Sequence, residues 1–308
     1  MSSLPSDSPP PPGPHGGDAL AIARWLGVGP DDVIDLSASL NPEAPDVAAI
    51  VRERATSIGR YPDASRATAA LAEAIGVDAG RVVLTNGGAE AIALVAGLEP
   101  VGSVEQPEFS LYERHLARVE VGAPRWRSNP GNPRGLLADP ADTARVWDEA
   151  FWQLAAGTWT RGDDTAWRVG SLTKLWACPG LRIGYAIAPD ERLADALRTR
   201  QPRWAVNSLG VATIEELVPR TDLTAWSAAI ARRRNDLLSL VRRHGLVASE
   251  TDACWILVEA VGLREVLLPH GVVVRDCTSF GMPTTSRVAV PDNRGFDRLA
   301  FALDEVFG

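Results

Sequence analysis

The stretch RVVLTNGGAEAIALVAGL, residues 81–98, leaves the backbone few choices. A β-branched run, RVVLT, crosses Asn86-Gly87-Gly88 into the apolar stretch AEAIALVAGL, which reads as strand, tight glycine turn and helix. Repeated along a chain, that unit builds a largely parallel sheet covered by helices. Alternating strands and helices continue through 102–106, 110–119, 144–148, 166–173 and 183–188. Helical periodicity also marks 18–27, 45–57 and 65–75, with an extended VIDLSASLNP after the first. From residue 222 the pattern changes: TAWSAAIARRRNDLLSLVRRH reads as one long helix, CWILVEA, GVVVR and SRVAV as strands, and a helix from 295 closes the chain. The expected class is α/β, with a large mostly parallel-sheet domain over 45–205. A smaller α+β domain is expected from 15–44 plus 206–308.

Composition narrows the function. A net charge of −8 argues against a nucleic-acid binder. No apolar run approaches the roughly 18–20 residues that cross a bilayer, so no membrane partner is expected. MSSLPSDSPPPPGP has neither a basic nor an apolar signal region, and residues 1–14 read as a disordered or extended tail. Cys178, Cys254 and Cys277 form no CxxC, which fits a reduced, cytoplasmic setting. His15, His115, His244 and His270 lack metal-ligand spacing, and no metal site is expected.

Four constellations carry possible chemistry. Gly87-Gly88 opens a helix whose N–H groups suit a phosphate or carboxylate, or simply makes a tight turn. In SLTKLWACPGLRIGY, Ser171, Thr173, Lys174 and Arg182 offer two hydroxyls, an amine and a guanidinium within twelve residues. Hydroxyls with arginine suit a phosphate dianion, and a desolvated lysine beside another cation can attack an aldehyde as the free amine. The alternative is a surface lysine at a strand end. Asp148 in WDEAF lies at the end of an expected parallel strand, where α/β sheets bind ligands; Asp148 or Glu149 capping the next helix is the local alternative. Asn132, in SNPGNPRG, is either a ligand contact or part of a plain turn.

In this order the four resemble the fold-type-I pyridoxal-phosphate enzymes, the aspartate aminotransferase superfamily. SLTKLWACPGLRIGY is similar to their S-x-T-K-x-x-x-x-P-G-L-R-x-G-Y motif nearly residue for residue, and the likeness spans residues 15–308. The resemblance implies pyridoxal 5'-phosphate as cofactor and Lys174 as the Schiff-base lysine. It implies that Ser171, Arg182 and the Gly88-Ala89 backbone hold the cofactor phosphate. Asp148 then pairs with the pyridine nitrogen and Asn132 with the ring hydroxyl, while Phe109, with Tyr112 as the alternative, stacks on the ring. Tyr61, in GRYPDAS, is implied to reach the cofactor phosphate of a neighbouring subunit, and so a homodimer with shared sites.

Within that superfamily the chain resembles the threonine-phosphate decarboxylases of cobalamin biosynthesis first and the histidinol-phosphate aminotransferases second. PHGGD, DLSASLNP, GRYPDAS, DEAF and PRWAVNSLG carry the likeness, with Phe151 where the aminotransferases usually have tyrosine. His15, Ser39, Asn41, Arg275 and Arg287 are the implied substrate contacts, for a phosphorylated amino acid. Decarboxylation of O-phospho-L-threonine to aminopropanol phosphate is the implied reaction, and transamination of the histidinol-phosphate type is the alternative. Two departures stand out. Ser39 occupies a position where asparagine is expected. The chain between Asn132 and Asp148 is shorter than the family usually carries, which implies a reduced or missing helix and a sheet face left bare or covered by another subunit or partner.

Overall fold

The computed structural model describes residues 8–13 and 15–308. The tail expected over 1–14 therefore falls partly on residues 1–7 and 14, outside the described residues. The chain divides into two compact units.

One unit takes residues 44–132 and 136–228. Its seven-stranded sheet runs in the order Val82–Thr85, Gly184–Ile187, Trp167–Gly170, Val146–Asp148, Arg125–Ser128, Val101–Val104, Arg118–Val119. All neighbouring pairs are parallel except those of Gly184–Ile187, which runs against both its neighbours. The period-two alternation of strand side chains sorts the two faces. Val83, Trp126, Val146, Trp167, Val169 and Ala186 cluster with Ile92 and Val95 of the helix Gly88–Leu98 and Leu197 of the helix Glu191–Arg200.

The other face is different in character. Trp147 is buried with Ala138 and Ala166, and the guanidiniums of Arg161 and Arg127 lie 4.3 and 5.9 Å from its ring centre. Residues 129–144 contain no helix or strand. Arg161 holds this segment by donating to the carbonyls of Asp139, Pro140 and Asp142, and Arg127 pairs with Asp142 at 2.5 Å. The shortened connection is thus an irregular strap. Over Trp147 the face is closed by the chain itself, through cation–π contacts and arginine–carbonyl bonds.

Several elements depart from the expected ranges. Residues 110–119 split into the helix Leu111–His115 and the short strand Arg118–Val119. Residues 166–173 split into a strand ending at Gly170 and a short helix, Leu172–Leu175. The strand Arg125–Ser128 and the helices Glu191–Arg200 and Ser208–Leu217 were not anticipated from periodicity.

The other unit takes the chain up to Glu43, residues 133–135 and residues 229–308. An antiparallel sheet runs in the order Arg275–Asp276, Thr285–Ala289, Trp255–Glu259, Val247–Ser249. GVVVR is not one strand. Val272–Val273 pairs in parallel with Ile34–Asp35, and after Val274 the chain joins the antiparallel sheet at Arg275. Ile22 and Ala23 of the helix Ala19–Leu26 pack with Val33, Leu268 and Val273. Residues 8–13 form no regular element, and the carbonyls of Pro10 and Gly13 accept from Arg264 and Arg275.

Candidate active site

The glycine junction is built by exclusion of side chains. Gly87 has φ +80°, in the left-handed region, and a Cβ there would lie 2.7 Å from Arg182 Nη2. A Cβ on Gly184 would lie 2.6 Å from the Gly87 carbonyl carbon and 2.7 Å from the Gly88 nitrogen. It would also lie 2.8 Å from the Gly170 carbonyl oxygen, so three chain segments meet at backbone distance. Gly88 and Ala89 begin an 11-residue helix, and an added Gly88 Cβ would be 3.6 Å from the Ser171 Cβ. Gly88, Ala89, Ser171 and Arg182 are brought together, with free-ended N–H groups, a hydroxyl and a guanidinium. Arg182 itself takes a left-handed φ of 53° after the Pro-Gly turn.

Lys174 lies on the short helix Leu172–Leu175, and its Nζ is 5.9 Å from the centre of the Phe151 ring. Thr173 is buried and its hydroxyl donates to the Ile183 carbonyl at 3.1 Å, so it ties the lysine helix to the sheet. Asp148 ends its strand in a buried position; Oδ2 accepts the Tyr112 hydroxyl at 2.8 Å and Oδ1 the Ala150 N–H at 2.9 Å. Burial raises its carboxyl above the usual aspartate value, against the two hydrogen bonds. No lysine, arginine or histidine forms an ion pair with it among the described residues. Glu149 does not cap the following helix either. It is fully buried and accepts from the Thr160 hydroxyl and the Arg161 N–H.

Phe109 is half-buried and meets Tyr112 edge-on, with ring centres 5.9 Å apart. Tyr112 is 1% exposed and lies in the core against Trp126, so its ring is not available for stacking on a ligand. Its hydroxyl on Asp148 is its contribution to the site. Asn132 is buried, its N–H donating to Ser128 Oγ at 2.8 Å. Tyr61 stands apart from these: it is 78% exposed and stacks on Trp204 at 4.3 Å.

The remaining candidates belong to the other unit. Arg275 and Arg287 are directly opposed in register and both buried. Arg275 donates to the Gly13 carbonyl at 2.7 Å and to Ser279 Oγ; Arg287 donates to the Ser37 carbonyl and lies 4.9 Å from the Trp255 ring centre. Burial brings the Arg287 guanidinium down to about 10. Gly16 packs on Ser37, where a Cβ would be 2.2 Å from the carbonyl oxygen, and the Gly17 N–H donates to Ser37 Oγ. His15, beside them, is exposed. Ser39 is fully buried with φ 44°, a conformation asparagine adopts more readily than serine, and its hydroxyl has no hydrogen-bond partner among the described residues. Asn41 is buried and accepts the Glu43 N–H.

Three residues at these sites escaped sequence reasoning. Tyr112, as the donor to Asp148, and buried Glu108 had no motif to mark them. Arg264, 1% exposed and 3.8 Å from Asp18, sits in LREVL with no local signal.

Comparison with known proteins follows the same lines. Residues 128–303 match the family model "Aminotransferase class I and II". The chain is 28% identical to a threonine-phosphate decarboxylase of Salmonella typhimurium, covering 95% of this chain and 96% of that protein. It is 30% identical to a histidinol-phosphate aminotransferase of Pseudomonas aeruginosa, with 92% of each covered. The structure of a histidinol-phosphate aminotransferase of Sinorhizobium meliloti, solved with pyridoxal-5'-phosphate, has the same fold. Its TM-score is 0.79 at 19% identity, over 100% of this chain and 99% of that one.

Proposed function

The chain belongs to the class I and II aminotransferases, and on that premise we propose that it decarboxylates O-phospho-L-threonine with pyridoxal 5'-phosphate. The residues fit this cofactor. Asp148 is a buried carboxylate without a cationic partner among the described residues, which suits a protonated ring nitrogen. The glycine junction with Ser171 and Arg182 is a cradle that added Cβ atoms would fill, which suits a phosphate.

When bound, the cofactor supplies an aldehyde that captures a primary amine and a protonated ring that accepts the electron pair of a bond broken at Cα. The Gly88 and Ala89 N–H groups, the Ser171 hydroxyl and Arg182 receive the cofactor phosphate. Asp148 keeps the proton on the ring nitrogen, and Tyr112 holds Asp148 in place. Phe109 covers a ring face and Asn132 reaches the ring hydroxyl. Lys174 would hold the cofactor through its amine and would be placed to return a proton to Cα as the free amine. Arg275 and Arg287, with His15, Ser39 and Asn41, bind the substrate's carboxylate and phosphate and so orient the carboxylate for loss.

The observation that carries the choice of reaction is position 151, together with the paired arginines. An apolar phenylalanine ring, not a tyrosine hydroxyl, faces the Lys174 amine. Two buried guanidiniums in register suit a substrate with two anionic ends. The second reading, transamination of a histidinol-phosphate type substrate, is supported by the Pseudomonas relative. The exposed Tyr61–Trp204 pair supports a homodimer, in which Tyr61 serves the neighbouring subunit's site. Phosphothreonine alone is expected to give carbon dioxide. Glutamate formed from 2-oxoglutarate, without carbon dioxide, supports the aminotransferase.

A further inference from the structure

Glu108 is a buried carboxylate with no place in the mechanism above. Its Oε1 accepts the Ser128 N–H at 2.9 Å. Its Oε2 accepts the Ser128 hydroxyl at 2.5 Å and the Phe109 N–H at 3.1 Å. The same Ser128 oxygen accepts the Asn132 N–H at 2.8 Å. One carboxylate is therefore bonded, directly or through one hydroxyl, to the backbone of both Phe109 and Asn132. Ser128 is also the register neighbour of Asp148 on the adjacent strand.

The groups that face Glu108 are Asp148 from that strand and the Tyr112 hydroxyl from the helix Leu111–His115. No lysine, arginine or histidine pairs with Glu108 among the described residues. Two buried carboxylates within electrostatic reach of each other, both adjoining Ser128, are costly by themselves and well matched to a cation brought in by a ligand.

We propose that Glu108 is a positioning residue of the cofactor site, anchoring Phe109 and Asn132 together and adding a second negative charge beside Asp148 for a protonated ring nitrogen. This rests on the cofactor reading given above. Burial pushes the Glu108 carboxyl up to about 7, so the second charge is present at pH 8 and largely lost at pH 6.

The test uses pyridoxamine 5'-phosphate, which carries the ring and phosphate but no aldehyde for Lys174. Its dissociation constant is measured by fluorescence titration of the full chain freed of cofactor, at pH 6 and pH 8. The quantity read is the ratio of variant to wild type at each pH, which cancels titration of the probe itself. Glu108→Gln is expected to bind within about twofold of wild type at pH 6 and about fivefold or more weaker at pH 8. Ser128→Ala leaves the Glu108 carboxyl in place but cuts the tie to Asn132, so it is expected to weaken binding at pH 6, where the second charge is already largely lost, as well as at pH 8. A Glu108→Gln ratio equal at the two pH values overturns the charge role, and a Ser128→Ala variant that binds like wild type overturns the anchoring role. Wild type that binds the probe at neither pH overturns the cofactor reading and this inference together.

Discussion

Replacing Glu149 by glutamine should change how stability depends on pH more than it changes stability itself. Glu149 is fully buried; Oε1 accepts from Thr160 and Arg161, while Oε2 has no hydrogen-bond partner among the described residues. Burial pushes its carboxyl up to about 7 from an ordinary 4.5, against the Arg161 N–H, the Thr160 hydroxyl and the charge of Arg168. Between those values the folded chain holds a proton that the unfolded chain has released. Stability is therefore lost as pH rises across that window, and the full penalty of about 3 kcal/mol is in place above neutrality. Glutamine has no such proton. Whatever constant offset the amide introduces, the melting-temperature gap between variant and wild type should move in the variant's favour by a few degrees from pH 5 to pH 8. Glu108 titrates in both proteins and cancels in the difference, while Asp148 loses the repulsion of the Glu149 charge in the variant, which moves the gap in the same direction. Differential scanning calorimetry at the two pH values measures the gap directly. A gap that stays constant, or moves the other way, refutes the assignment of Glu149 as a carboxylate ionised at a burial cost.

Tyr112→Phe removes the hydroxyl that Asp148 accepts without emptying the core, so affinity for pyridoxamine 5'-phosphate should fall about tenfold, in line with a hydrogen bond to a charged group. Unchanged affinity in the titration would show that Asp148 needs no such support. Gly184→Ala places a Cβ against the backbone of Gly87 and Gly88, where no flexible side chain can yield. It should lower stability by about 2–3 kcal/mol and weaken the phosphate cradle, visible as a lower melting temperature by circular dichroism; a wild-type melting curve would contradict the close approach described.

The strand-turn-helix unit and the lysine segment were legible because glycine positions and short-range spacing encode them. Gly87 must take a positive φ and Gly184 must lack a side chain, and both constraints leave their mark in the residue itself. The strand Arg125–Ser128 was hidden because one of its faces is charged. Arg125 and Arg127 pair with Glu105 and Asp142, and RWRS beside SNPGNPRG reads as a polar loop. The split of GVVVR at Val274 depends on which partner strand each half finds, which periodicity does not encode. Glu108 and Tyr112 were illegible for a related reason. Their weight comes from burial and from partners 20 and 36 positions away, Ser128 and Asp148. Likewise, the cover over Trp147 depends on two arginines that meet only in the folded sheet.

The central claim is that Cα loses its carboxylate and not its hydrogen. Phosphothreonine labelled with carbon-13 at the carboxylate, turned over in deuterium oxide without any keto acid, tests it. The expected products are labelled carbon dioxide and aminopropanol phosphate carrying one deuterium at the former Cα. Label retained in a keto acid, with turnover that requires 2-oxoglutarate and yields glutamate, would contradict the account.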